Sequence, residues 1–135
     1  MKKIKPPSRH VISFKSYFTD RLLSGKKTTT IRRERKRPIK VGDTVSIVTG
    51  MRTKNYKKLF EARVIATPTI AIHPDEVLLC ALTPEGMTGK ILKTEKELRE
   101  LAVIDGFLDF DQMLNFFDEH YGLPFEGVLI EWVRL

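Results

Sequence analysis

The spacing of hydrophobic and polar positions changes several times along the chain, and each change marks a short element. Val11-Ile12-Ser13-Phe14 reads as a first strand, after a flexible segment over 1–10. Phe18, Leu22 and Leu23 recur at helical spacing in a helix for which Ser16, Thr19 or a neighbour is the N-cap, and Gly25 closes that helix. A strand starts near Thr28 in the β-branched run Thr28-Thr29-Thr30-Ile31, and Pro38 breaks it. Alternation puts Thr28, Thr30 and Arg32 on one face and Thr29, Ile31 and Arg33 on the other. After the turn Val41-Gly42-Asp43, Thr44-Val45-Ser46-Ile47-Val48 alternates as a half-buried strand. A polar hairpin over 50–58 leads to a return strand over 59–66, with Phe60, Ala62 and Val64 on one side. Pro68 restricts the next segment to an edge or a turn, and 69–72 is a further short strand.

From Val77 to Gly89 an apolar run gives way to Pro84, Gly86 and Gly89, and the pattern favours neither helix nor strand. Thr94-Glu95-Lys96-Glu97 fits a capping box, which opens a helix with Leu98, Leu101 and Ala102 on one face. Asp109 to Gln112 forms a second box, before a helix whose apolar stripe is Phe110, Met113, Leu114 and Phe117. Gly127 to Val133 is the strongest strand pattern in the chain. Many short strands with a few helices predict one α+β domain over 11–135, a barrel-like sheet with peripheral helices.

Composition narrows the class of protein. The 135 residues, 41% apolar and 30% charged, suit one globular domain. The lone Cys80 excludes a disulfide framework and a thiolate cluster for zinc, and His10, His73 and His120 are too far apart for a sequence-local metal site. Neither a metal nor another cofactor is expected. No apolar window is long enough to serve as a signal peptide or to span a bilayer, so the chain reads as soluble and cytoplasmic, with a monomer expected.

The net charge of +7 conceals a division. Residues 1–58 hold eighteen Lys or Arg against three acids, and the remainder holds six against fourteen. A basic face of this kind attracts polyanions, with RNA or DNA the first candidates and a nucleic acid or nucleotide the favoured ligand. Lys26, Arg35, Lys36 and Arg37 around the threonine run, with Lys54, Lys57 and Lys58 on the hairpin, are the candidate phosphate contacts. Tyr17 and Tyr56 are candidates for stacking on a base.

Gly25, Lys27, Thr30 and Arg32, followed by Val41-Gly42-Asp43, Asp105-Gly106-Phe107 and a last strand ending Glu131-Trp132, resemble the ASCH domain family of PUA-like β-barrels. The family motif is Gly-x-Lys-x-x-Glu-x-Arg, and here Thr30 stands in place of the glutamate. With threonine there, the segment is similar to a branch of small bacterial ASCH proteins that hydrolyse the acetyl amide of acetylcytidine. The resemblance implies Lys27 and Thr30 as catalytic residues, with Asp105 in the place of a helical glutamate and one methylene shorter. The chain is longer than that branch, chiefly between Val77 and Lys96.

Amide hydrolysis needs a nucleophile, a base and a donor to the developing oxyanion. Thr30 is the candidate nucleophile, Lys27 the base or oxyanion donor, Asp105 the orienting acid, and Arg32, Thr28 and Arg33 the substrate contacts. Burial lowers the pKa of a lysine and a nearby carboxylate raises it, so the role of Lys27 turns on which is stronger. Lys27 must sit in the turn after Gly25 for the pair to converge, because residues three apart in a strand face opposite ways. RNA binding without chemistry is the alternative function, and RNA cleavage the third.

Overall fold

A computed structural model describes residues 7–135, and its backbone forms eight strands and three helices. β1 (Arg9–Phe14) begins two residues earlier than its apolar pattern. Residues 1–6 of the segment expected to be flexible lie outside the described residues. A 3-10 turn over Ser16–Phe18 leads into α1 (Thr19–Ser24), whose N-cap position falls on a neighbour of Thr19, Phe18, which makes no side-chain cap. Leu22 is buried, whereas Leu23, expected on the same stripe, is exposed. Gly25 ends α1 with φ at +81°, a left-handed conformation that a glycine adopts without steric cost.

β2 (Thr29–Arg32) follows, then β3 (Thr44–Thr49), β4 (Lys57–Ala66) and β5 (Thr69–Ile72). The ambiguous stretch after Val77 is a hairpin of β6 (Val77–Thr83) and β7 (Gly86–Leu92). In the full capping box of α2 (Glu95–Ile104), Glu97 N donates to Thr94 Oγ1 and Glu97 accepts from the Thr94 amide. The box of α3 (Phe110–Tyr121) is half formed: Gln112 N donates to Asp109, but the Gln112 side chain accepts from the Leu108 amide. β8 (Phe125–Arg134) completes the sheet.

β8 is the organising strand. Val128 pairs with Arg32 of β2 and with Thr69 of β5, so β2 and β5 lie on opposite edges of β8. Glu131 likewise pairs with Thr29 and Ala66, which puts β4 on the β5 side. β4 and β5 therefore run end to end along one edge, separated by Thr67 and Pro68. A proline lacks the amide that a continuous ladder would need. From β4 the sheet continues to β3 and then to β1, which is parallel to β3, and from β5 it continues to β6 and β7.

The barrel expected from the sequence is an open sheet, because β1 and β2 do not pair among the described residues. Two side chains cross the seam instead. Arg32 Nη2 donates to the Ser13 carbonyl at 2.7 Å and Arg35 Nη2 to the Val11 carbonyl at 3.2 Å. Val11 and Ser13 are alternate residues of β1, so both carbonyls point to the edge away from β3.

The core is one buried cluster in which Ile12, Val45, Ile47, Ile72 and Val77 of the sheet join Met113 and Phe117 of α3 and Leu101 and Ala102 of α2. Asp43 pins the turn before β3. Burial pushes its carboxyl up, but hydrogen bonds from the Lys40 amide, His10 Nε2 and the Ser8 amide outweigh burial and hold it below the usual carboxylate range.

Candidate active site

The turn between α1 and β2 decides where Lys27 goes. Its amide donates to the Arg21 carbonyl at 3.0 Å and the next amide donates to the Ile104 carbonyl at 2.9 Å, which ties the turn to the end of α2. Lys27 thus lies outside the strand, as convergence requires, and its side chain runs inward. Nζ donates to the carbonyls of Thr29, at 2.7 Å, and Asp105, and lies 3.7 Å from Asp105 Oδ1. Its other neighbours are the faces of Phe18 and Phe14, 4.9 and 5.2 Å from the ring centroids.

Asp105 is the C-cap of α2 and is buried with Lys27. Its Oδ1 accepts from Thr29 Oγ1 at 2.8 Å. Both charges of the pair are destabilised by leaving water. Burial pushes the Asp105 carboxyl up, against the pull of Lys27 and the Thr29 hydroxyl. Burial also brings Lys27 down to about 8; Asp105 opposes the shift and Arg32 adds to it. The balance between burial and the carboxylate thus falls on the side of burial.

Thr30 and Arg32 share the other face of β2, and Arg32 Nε donates to Thr30 Oγ1 at 2.9 Å. They line a cavity of about 720 Å3 at the seam between β1 and β2. Ser13 and Phe14 of β1 form one wall with them, Phe116, His120 and Tyr121 of α3 another, and Thr53 and Asn55 of the β3–β4 hairpin the mouth. Asp105 also lines the cavity. Arg32 is half-buried with no carboxylate partner among the described residues; its Cζ lies 5.0 Å from the Phe14 centroid, and burial lowers its pKa.

The expected meeting of Lys27 and Thr30 in one pocket does not occur: Thr30 lines the cavity and Lys27 does not. No hydrogen bond joins them among the described residues, because Lys27 is committed to carbonyls behind β2 while Thr30 faces the cavity. Asp105 is the residue they share: it pairs with Lys27 and lines the cavity with Thr30.

Thr28 is half-buried with its backbone engaged at both ends, to Ile104 and Trp132. Arg33 does not line the cavity; its guanidinium stacks at 5.0 Å on Tyr121, which does. Lys26, Lys36, Arg37, Lys54 and Lys57 are exposed, but Arg35 bonds β1 and Lys58 Nζ lies 3.0 Å from Glu61. Tyr17 and Tyr56 are exposed outside the cavity wall.

Thr29, Tyr121 and His120 were not anticipated. The alternation that pairs Thr29 with inward-facing Ile31 was the available signal for the first. Nothing in the sequence brings the end of α3 to β2, and Tyr121 reads there only as the start of the helix terminator. No group of three or more His, Cys, Asp or Glu able to hold a metal occurs among the described residues, and no helix there is long and apolar enough to cross a membrane.

No protein-family model matches the sequence, and no match to a curated protein was found. Among solved structures, a crystal structure of a mutant ZmASCH protein from Zymomonas mobilis is similar over 96% of this chain and 70% of its own, with a TM-score of 0.55 and 18% identity. The likeness is one of fold: this chain's open eight-stranded sheet with peripheral helices is similar in fold to that ASCH protein.

Proposed function

We propose that this chain, which has the ASCH-type fold, is an amidohydrolase that removes the acyl group from an acylated pyrimidine nucleoside of the acetylcytidine kind. One observation carries the reading. The cavity holds a threonine hydroxyl, an arginine without a carboxylate partner and a carboxylate, and that carboxylate is paired with a lysine whose pKa burial brings to about 8. A volume of about 720 Å3 is in the range of small-molecule sites.

In this mechanism Thr30 Oγ1 attacks the amide carbonyl carbon while its proton passes by way of Asp105, the member of the pair that lines the cavity, to neutral Lys27. Roughly a tenth of a lysine with that pKa is neutral at pH 7, enough for a general base. Arg32 already donates to Thr30 Oγ1 and lowers the energy of the alkoxide as it forms; its remaining N–H groups serve the oxyanion. Collapse of the tetrahedral intermediate breaks the carbon–nitrogen bond and returns the proton to the departing amine. Water then hydrolyses the threonine ester and releases the carboxylic acid.

A second reading has its own support. The hairpin that forms the cavity mouth carries Arg52, Lys54 and Lys57 in the open, which suits a single-stranded RNA entering base first. His120 in the cavity wall also supplies the imidazole that RNA cleavage uses. The deciding experiment is product analysis after incubation with acetylcytidine and, separately, with acetylated and plain RNA. Free acetate supports the amidohydrolase, shortened RNA a nuclease, and tight binding without either product a binding module.

A further inference from the structure

The β6–β7 hairpin leaves apolar side chains in water. Leu82, Met87 and Ile91 are 84%, 74% and 57% exposed. Leu82 pairs with Met87 and Leu78 with Ile91 across the hairpin, so all four project from one face, with Cys80 between them. β7 pairs with β6 alone among the described residues, and its outer edge has no proline, no bulge and a single charge, Lys90. Sheet edges this bare are ordinarily protected by such devices or covered.

At the centre of the strand stands Gly89, which the single chain does not require. Its φ is not positive, and an added Cβ would meet only Cys80 Sγ at 3.9 Å, an ordinary contact.

We propose that β7 pairs with β7 of a second copy of this chain, antiparallel across a two-fold axis at Gly89, in place of the monomer expected from sequence. In that register the whole of Gly86–Leu92 pairs with itself. Met87 lies opposite the partner's Ile91, Thr88 opposite the partner's Lys90, and Glu85, just beyond the strand, opposite the partner's Lys93. Symmetry forms each contact twice.

The neighbouring registers are worse. An axis at Lys90 sets that ammonium against itself and Met87 against a lysine, and an axis at Thr88 sets Ile91 against Glu85. Only the axis at Gly89 matches apolar with apolar and acid with base. A side chain at Gly89 would stand on the axis and hold the two apolar pairs apart. Its absence lets them close, while the edge amides and carbonyls of β7 find partners.

Sedimentation of the purified protein at about 1–100 µM tests this. Wild type is expected at two chain masses at the upper end. Gly89→Lys, which meets nothing but the Cys80 sulfur in the single chain, is expected at one chain mass throughout with an unchanged melting temperature. Glu85→Lys is expected to weaken the dimer by about tenfold, two lost ion pairs at roughly 0.7 kcal/mol each. Glu85→Lys with Lys93→Glu is expected to restore it. A wild type that stays at one chain mass, a Gly89→Lys variant that still dimerises, or a double exchange no tighter than Glu85→Lys overturns the proposal.

Discussion

Lys27 sits where loss of water makes a charge costly, and two carbonyls, two aromatic faces and Asp105 offset only part of that cost. Below about 8 Lys27 is charged in the fold, whereas its ordinary value is 10.5. Between those values the unfolded chain binds the extra proton, so the contribution of Lys27 to stability rises with pH across that window. Lys27→Met is expected to flatten this rise in urea titrations at pH 8 and 10. It is also expected to cost about 3 kcal/mol by leaving Asp105 buried without its cation. As a base, Lys27 should give kcat/KM a limb that climbs with pH to about 8; as an oxyanion donor it should give one that falls above that value. Thr30→Ala is expected to abolish acetate release with ligand binding and melting nearly unchanged. Thr29→Val, which removes the hydroxyl bonded to Asp105, is expected to lower stability by about 1 kcal/mol. The sequence made Lys27, Thr30, Arg32 and Asp105 visible as a set but not their partners. Residues three apart can be assigned to faces from sequence, whereas the carbonyl that captures an ammonium depends on the turn that aims it.

Elements hold this constellation through a few close contacts. Gly106, just past α2, has φ at +98°, and an added Cβ would lie 2.7 Å from Lys27 Cδ and 2.9 Å from Phe18. Gly106→Ala is therefore expected to displace Lys27 from Asp105, with loss of turnover and a cost of at least about 1 kcal/mol, read by thermal melting beside the activity assay. Thr94→Ala at the other end of α2 is the control: it removes a cap worth about 1 kcal/mol and is expected to leave turnover unchanged. Elements with period-two alternation or a capping signature were legible, as in β3, β4, β5, α2 and α3. The β6–β7 hairpin was not, because Val77 to Leu82 is apolar at every position and carries no period. Openness of the sheet was hidden for a different reason. Whether β1 meets β2 through backbone or through arginine side chains depends on the distance across the seam, which no local pattern encodes.

For the whole molecule, the divided charge predicts a salt response. Changing Lys54, Lys57 and Lys58 together to Ala is expected to weaken RNA binding at low salt and to flatten the log–log salt slope by about 1 to 2, at roughly 0.7 per phosphate contact. Lys58 should contribute least, because Glu61 already neutralises it. Filter binding between low and moderate salt reads both effects, and an unaltered slope would clear the hairpin of contact with phosphate. The position of β8 bears on how the molecule is made. β2, β4 and β5 all precede the strand they flank, and 92 residues separate Arg32 from Phe125. At the pace of a translating ribosome, β2 waits roughly 5 to 20 s for its partner. In that interval the threonine-rich segment has no ladder to join, and the pocket it later floors does not exist. The wall of the cavity that β2 supplies is thus completed only when β8 emerges.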